Sequence, residues 1–124
     1  GWDEEYGGLL RFVDNEGGRP RGINTGSAYE KLMEETWDMK LWWPHSEMLY
    51  LFPKMYELTG DESFLQAYEK SFTYAFTTFP NQELGEWIQI RRRDGSPEEK
   101  LVALPVKDPF HIMRNLLKNV ELCL

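Results

Sequence analysis

The pattern of apolar positions along the chain predicts three amphipathic helices. Residues 43–59 repeat apolar side chains at helical spacing and end before Gly60, a common C-terminal stop. Residues 62–79 form a second run of this kind, and Asp61 is expected to be its N-cap. Pro109 is expected to open the third helix. The apolar stripe of that helix consists of Phe110, Met113, Leu117, Val120 and Leu124, with Leu116 beside it.

Shorter elements are predicted between and before these helices. Residues 6–14 alternate weakly and precede a strong turn signal at 15–18, which indicates a hairpin or an extended arm. Residues 27–36 are compatible with one or two helical turns. Residues 85–93 and 100–106 flank an Asp-Gly turn and predict a second hairpin.

The width of the apolar faces favours a larger helical assembly over a self-contained bundle. Three helices of this kind need partners on more than one side. Pro53 lies inside the first helix, where it is expected to bend the axis. The chain opens abruptly at Gly1 in sequence typical of the middle of a fold, so we expect further sequence upstream.

The charge balance argues against nucleic-acid binding, because the net charge is −7 and phosphate binding requires a basic surface. We interpret the basic run Arg91–Arg93 as a solvated hairpin tip. No apolar stretch approaches the length of a membrane span, and no signal-peptide pattern opens the chain. Cys123 is the only cysteine, which argues against a disulfide framework or a cysteine metal site. We therefore expect a cytoplasmic protein that binds no nucleic acid, membrane or metal.

Aromatic residues are frequent, with five Trp and six Tyr in 124 residues. Such side chains suit sugar sites, where flat apolar faces and polar edges must both be contacted. They also fill the space between packed helices, and composition alone does not separate these two interpretations.

The two histidines, His45 and His111, each lie near the start of a predicted helix. Histidine is the commonest acid–base catalyst near neutral pH, although a single histidine at a helix start is more often a structural hydrogen-bonding group. His45 and Glu47 point roughly 200° apart on a helix, so they cannot form a local dyad. Glu47 shares an otherwise apolar helix face with Pro44 and Leu51, so its carboxylate lies either at a solvent edge or in a cavity.

His111 and Arg114 are three residues apart and share one helix face. An arginine beside a histidine disfavours the protonated imidazole, which would suit a base that must accept a proton. The alternative interpretation is an exposed polar face.

Several strings in the chain are specific when taken in order. They are Trp2–Gly8 (WDEEYGG), Trp37–Glu47 (WDMKLWWPHSE), Tyr56–Asp61 (YELTGD), Tyr74–Phe76 (YAF), Gly85–Trp87 (GEW) and Pro109–Arg114 (PFHIMR). Together they resemble the C-terminal segment of the N-acylglucosamine 2-epimerase family, which includes renin-binding protein. The resemblance covers nearly the whole chain, and KLWWPHSE is its most specific part.

The resemblance implies an all-α fold, the (α/α)6 barrel of about twelve helices. Residues 1–124 would form the C-terminal segment of a single barrel domain and supply roughly its last four helices, with short hairpin connections. The family interconverts N-acetylglucosamine and N-acetylmannosamine by two-base proton transfer at C2. The chemistry requires no cofactor, although ATP activates some members. The implied partners are an amino-sugar substrate and a second subunit, as a homodimer or by self-association.

The resemblance also carries residue roles. His111 matches the catalytic histidine of the last helix, and Glu47 matches a carboxylate required for activity, which would orient a histidine or a sugar hydroxyl. The residues implied to bind substrate are His45, Trp42, Trp43 and Arg114. The family's second catalytic histidine and an essential arginine lie upstream of the segment that this chain matches, so we expect residues 1–124 alone to be inactive.

Three departures from the family pattern leave the exact substrate open. Residues 22–36 resemble an insertion, Pro53 interrupts a helix, and the run at 107–109 is short. Alternatives are a cellobiose 2-epimerase or mannose isomerase type of enzyme, or a non-catalytic truncated fragment that binds sugar or assembles. An incomplete barrel would expose a large apolar edge, so such a fragment is expected to self-associate.

Overall fold

The computed structural model describes residues 1–99 and 110–124, and these residues form four helices and two small sheets. The helices are α1 (Ala28–Thr36), α2 (Trp42–Thr59), α3 (Ser63–Thr78) and α4 (Phe110–Cys123). The strands are β1 (Lys40–Leu41), β2 (Pro80–Asn81), β3 (Glu86–Trp87) and β4 (Ile90–Arg91). The predicted helical fold is confirmed. Within the described ranges, no helix combines the length and apolar character needed to cross a membrane.

The helix ends follow local chemistry. Ser27 caps α1 in a capping box, since its side chain accepts from the backbone of Glu30 while the Glu30 carboxylate accepts from the backbone of Ser27. Helix α2 ends at Gly60, whose φ of 70° is left-handed and therefore suits glycine. The N-cap of α3 is Glu62 rather than the predicted Asp61, although the Asp61 carboxylate accepts from Ser63 N–H across 2.9 Å at the start of the helix.

The predicted first strand of the second hairpin, residues 85–93, is not one continuous strand. Residues 85–93 form two separate strands with different partners, because β3 pairs antiparallel with β2 and β4 pairs antiparallel with β1. The other predicted strand, residues 100–106, lies outside the described residues. Asp94-Gly95 is a turn as expected, and across it Arg92 N–H donates to the Ser96 carbonyl and Arg91 forms an antiparallel bridge with Pro97.

The N-terminal arm is a tight loop rather than a long hairpin. It closes with one antiparallel bridge between Trp2 and Leu9. Gly8 has a φ of 74°, and a Cβ at this position would lie 2.4 Å from the Tyr74 ring and 2.8 Å from His45 Nε2. Only glycine therefore lets the arm lie this close to α2 and α3.

Helix α2 is the central element, since it packs against both α3 and α4. Its Trp42 and Leu49 form a core cluster with Ala75 and Phe79. The partly buried side chains around this cluster are Tyr68, Tyr74, Trp87 and Ile112.

Helix α4 turns an unexpected face toward α2. Its predicted apolar stripe is exposed in the described structure, with Phe110, Met113, Leu117 and Val120 each more than half accessible. The residue that α4 buries most fully is Asn115, which is 1% exposed. The exposed stripe agrees with the expectation that a part of a barrel leaves apolar surface uncovered.

The basic run is not a solvated tip, so that interpretation is wrong for two of its three residues. Arg91 Nε donates to the Thr78 carbonyl across 3.0 Å, and Arg93 binds the carboxylate of Asp3 through Nε at 2.8 Å. Arg92 is exposed and lies 3.5 Å from Glu98. The run therefore ties the last strand to the body of the fold.

Asp3 lies at the centre of a buried ion cluster. Its Oδ2 accepts from Lys40 Nζ across 2.9 Å, and the side chains of Asp3 and Lys40 are 2% and 0% exposed. Burial alone would raise the pKa of Asp3, but the hydrogen bonds from Arg93 and Lys40 outweigh it and hold that pKa well below its ordinary value. The sequence offered no local signal for this cluster, because its members are distant in the chain.

Candidate active site

The carboxylate of Glu47 joins the beginnings of α2 and α4. His111 Nδ1 lies 2.6 Å from Glu47 Oε1. Arg114 Nη2 donates to Glu47 Oε2, so the two oxygens of one carboxylate bind two side chains of the same face of α4. The shared face that the i, i+3 spacing predicted for His111 and Arg114 is confirmed.

The three side chains are neither fully buried nor fully solvated. Those of His111, Glu47 and Arg114 are 29%, 30% and 39% exposed. Burial raises the pKa of Glu47, but hydrogen bonds from His111 and Asn115 and the charge of Arg114 outweigh it, and the pKa lies below its ordinary value. Glu47 is therefore ionised near neutral pH, and the three side chains remain accessible to a solute.

An ionised carboxylate can only accept hydrogen bonds. His111 must therefore donate from Nδ1, and the neutral ring then carries its lone pair on Nε2. The contact with Glu47 fixes the orientation of the ring.

Two tryptophans flank His111 in different ways. The Trp43 ring lies 5.1 Å from the His111 ring at 35°, and Trp43 is 43% exposed. The Trp42 ring lies 6.5 Å away, edge to face, and is 4% exposed within the core cluster. Trp43 therefore offers an apolar face beside the imidazole, whereas Trp42 supports the site from inside the fold.

His45 is not brought to this group. It is fully buried, its Nδ1 donates to the Leu41 carbonyl across 2.5 Å, and its Nε2 accepts from Leu9 N–H across 2.8 Å. Burial lowers the pKa of His45 to about 4. The ring stacks on Tyr74 with centroids 5.2 Å apart. These contacts are those of a structural hydrogen-bonding histidine, and the predicted divergence of His45 from Glu47 is confirmed.

Sequence reasoning missed two polar residues beneath the site. Asn115 and Ser46 are 1% and 0% exposed, and Asn115 Nδ2 donates to Ser46 Oγ across 3.2 Å. Asn115 lies one helical turn after His111, and Ser46 directly precedes Glu47. Their positions beside the predicted catalytic residues were the available signal, but neither residue type suggests chemistry by itself.

Comparison with known proteins assigns the chain to a family. The sequence model of the family described as N-acylglucosamine 2-epimerase (GlcNAc 2-epimerase) matches residues 1–114. The chain is 37% identical over 122 residues to N-acylglucosamine 2-epimerase of Bos taurus, which covers 98% of the chain and 26% of that protein. Identity to the Homo sapiens protein of the same name is 34%, with the same coverage. The chain thus spans about a quarter of the length of the curated relatives that it matches.

Solved structures show the same relationship at the level of fold. Cellobiose 2-epimerase from Bacillus thermoamylovorans B4167 superposes with a TM-score of 0.59 and 34% identity, covering 67% of this chain and 22% of that one. A D-mannose isomerase superposes with a TM-score of 0.71 and 16% identity, covering 97% of this chain and 27% of that one. These neighbours are (α/α)6 barrels, and the four helices of this chain match part of such a barrel. The chain belongs to the N-acylglucosamine 2-epimerase family.

Proposed function

We propose that this chain forms part of the active site of an N-acylglucosamine 2-epimerase, which interconverts N-acetylglucosamine and N-acetylmannosamine. One observation carries the proposal: His111 is held by ionised Glu47 beside the exposed ring of Trp43. An oriented imidazole next to a flat apolar surface suits proton transfer on a bound sugar.

In this proposal His111 is one of two bases that act at C2 of the ring-opened sugar. Its Nε2 takes the C2 proton, which the C1 aldehyde makes acidic, and the electron pair moves toward the aldehyde oxygen. Return of a proton to the opposite face of C2 gives the epimer. The negative charge of Glu47 stabilises the imidazolium that forms, because an opposite charge in contact favours the charged form.

The second proton donor must come from another residue. The chain contains two histidines, and His45 is buried with both ring nitrogens bonded to backbone groups. We therefore propose that residues 1–124 do not catalyse epimerisation alone. The chain's match to about a quarter of its relatives' length is consistent with this.

Isotope exchange tests the function directly. The complete gene product that carries this chain is incubated with N-acetylglucosamine in D2O, and NMR follows deuterium at C2 and the appearance of N-acetylmannosamine. We expect both signals, and we expect His111→Gln to abolish them while the fold is retained by circular dichroism. Absence of exchange in the unmodified protein with every sugar offered would refute an epimerase.

A second substrate class has a specific observation in its favour. The solved cellobiose 2-epimerase is 34% identical over the part of the chain that it covers. Cellobiose and mannose are therefore offered beside N-acetylglucosamine in the same assay. Epimerisation of cellobiose alone would replace the amino-sugar assignment and leave the role of His111 unchanged.

Three further expectations from the sequence stay predictions. They are a cytoplasmic location, a homodimer or other self-association, and activation by ATP. Light scattering of the complete gene product, and its rate with and without ATP, measure the last two.

A further inference from the structure

A buried polar connection lies directly behind the Glu47 carboxylate, between α2 and α4. Asn115 Nδ2 donates to Ser46 Oγ across 3.2 Å, and Ser46 Oγ donates to the Trp43 carbonyl across 2.9 Å. Asn115 and Ser46 are both almost completely inaccessible to solvent. The amide of Asn115 is therefore anchored to the backbone of α2 through one hydroxyl group.

The other end of this amide holds Arg114. Arg114 Nε and Nη2 lie 3.3 and 3.2 Å from Asn115 Oδ1. Guanidinium groups only donate hydrogen bonds, so the oxygen of Asn115 must face Arg114 and its NH2 group must face Ser46. The orientation of the amide is thus determined by its partners on both sides.

The hydrogen bonds form one directed path. Ser46 donates to the backbone, Asn115 donates to Ser46, and Arg114 donates to Asn115. Arg114 also donates to Glu47, which accepts from His111. An arginine side chain has many rotamers in solution, and the fixed amide oxygen restricts Arg114 to the one in which it contacts Glu47.

The burial pattern of α4 argues that Asn115 does more than fill space. A buried amide costs free energy unless it is fully hydrogen-bonded, so a helix contact of this kind ordinarily favours an apolar side chain. Helix α4 has apolar side chains available and leaves Met113 and Leu117 exposed, while it buries Asn115 against α2.

We propose that Asn115 is a positioning residue, which holds the Arg114 guanidinium on Glu47 and thereby fixes the carboxylate that orients His111. The inference rests on the proposed function for its kinetic readout. Its structural readout is independent of catalysis.

The first test is the titration of Glu47 in the complete gene product. Asn115→Leu keeps the branched shape of the side chain and removes both the hydrogen bond to Ser46 and the acceptor that anchors Arg114. We expect the pKa of Glu47 to rise toward its ordinary value, as measured by carboxyl ¹³C NMR. Asn119→Leu is the matched control, since Asn119 lies one turn further along α4 and bonds only to the Asn115 carbonyl among the described contacts. The control should leave the Glu47 titration unchanged.

Ser46→Ala gives a milder test, which covers the case that Asn115→Leu does not fold. It removes one hydroxyl and leaves the Asn115 amide free to turn, so we expect a smaller change of the Glu47 titration in the same direction. The double variant Ser46→Ala/Asn115→Leu should shift no further than Asn115→Leu alone, because both substitutions interrupt the same path. Additive shifts would show two independent effects and overturn the path.

Kinetics give the second readout. Asn115→Leu should lower kcat for C2 exchange about 10-fold, by analogy with the loss of a side chain that orients a metal ligand. KM should change little. The acid limb of the pH profile of kcat should move to higher pH, because Glu47 acts in its ionised form and its pKa is expected to rise. An unchanged Glu47 titration in both single variants overturns the proposal. A changed titration without C2 exchange in any form of the protein upholds the positioning role and refutes the proposed function instead.

Discussion

His111 on α4 donates to Glu47 on α2 across 2.6 Å, and this contact joins residues that are 64 positions apart in the chain. Each side chain is about one third exposed, so the contact is reachable from solvent. An imidazole in contact with an ionised carboxylate has a fixed orientation and a fixed donor atom. The contact therefore holds the His111 ring in a defined orientation at a place that solvent can reach.

Glu47→Gln keeps the shape of the side chain and removes its charge. We expect kcat for C2 exchange to fall at least about 100-fold, because the imidazolium formed during turnover loses its neutralising partner. KM should change little. The matched control is Glu57→Gln on the same helix, where Glu57 is exposed and pairs only with Lys54 among the described residues. Activity of Glu47→Gln within a few-fold of the unmodified protein would contradict the assigned role.

Substitution of Trp43 and substitution of Trp42 should have different effects on substrate binding and on stability. Trp43→Ala removes an exposed ring beside His111, so we expect KM for the sugar to rise about 10-fold with little change in the free energy of unfolding. Trp42→Ala removes a core side chain and should destabilise the fold by about 3–5 kcal/mol. Initial rates and chemical denaturation measure the two effects. Equal loss of stability in both variants would show that Trp43 is a core residue as well.

Much of this fold could be predicted because its helices are determined by residues that are close together in the sequence. Apolar periodicity, Ser27 before α1 and Gly60 after α2 each act within one or two helical turns. The pairing of β4 with β1 could not be predicted, since no local turn connects them. The Asp-Gly turn favoured a nearer partner for the same residues.

The same distinction applies to the site. The shared face of His111 and Arg114 followed from helix geometry, whereas their meeting with Glu47 depends on how α4 packs on α2. A hydrophobic stripe shows that a helix has an apolar face but does not say which neighbour that face meets. For this reason the sequence predicted an apolar stripe that includes Phe110 and Leu117, whereas the structure leaves both exposed and buries Asn115, which was missed.

His45 makes stability depend on pH. Its folded pKa of about 4 lies below the ordinary value of 6.5, so the unfolded chain binds more protons between these two values. The free energy of unfolding should therefore fall as pH is lowered from about 6.5 to about 4, by on the order of 3 kcal/mol in total. Denaturation curves of the unmodified protein and His45→Gln measure this. The free energy of unfolding of His45→Gln is compared with its own value at pH 7, so that the cost of the substitution itself does not enter. Relative to that value, it should change less with pH between about 6.5 and about 4 than that of the unmodified protein. Equal slopes would mean that other groups cause the pH dependence.

The free energy of unfolding should fall by different amounts when Asp3 or Lys40, the two members of the buried ion pair, is replaced. Asp3→Asn leaves Lys40 fully buried without its carboxylate, and we expect a loss of about 3–5 kcal/mol, as for other buried pairs broken on one side. Lys40→Met leaves Asp3 with Arg93, which still binds both carboxylate oxygens, so the loss should be smaller. Arg93 is about one third exposed, so Arg93→Met should cost less than Asp3→Asn. Chemical denaturation of the three variants at pH 7 ranks these effects. A loss in Lys40→Met that equals or exceeds the loss in Asp3→Asn would show that Arg93 does not compensate Asp3, and the cluster would then depend on Lys40 alone.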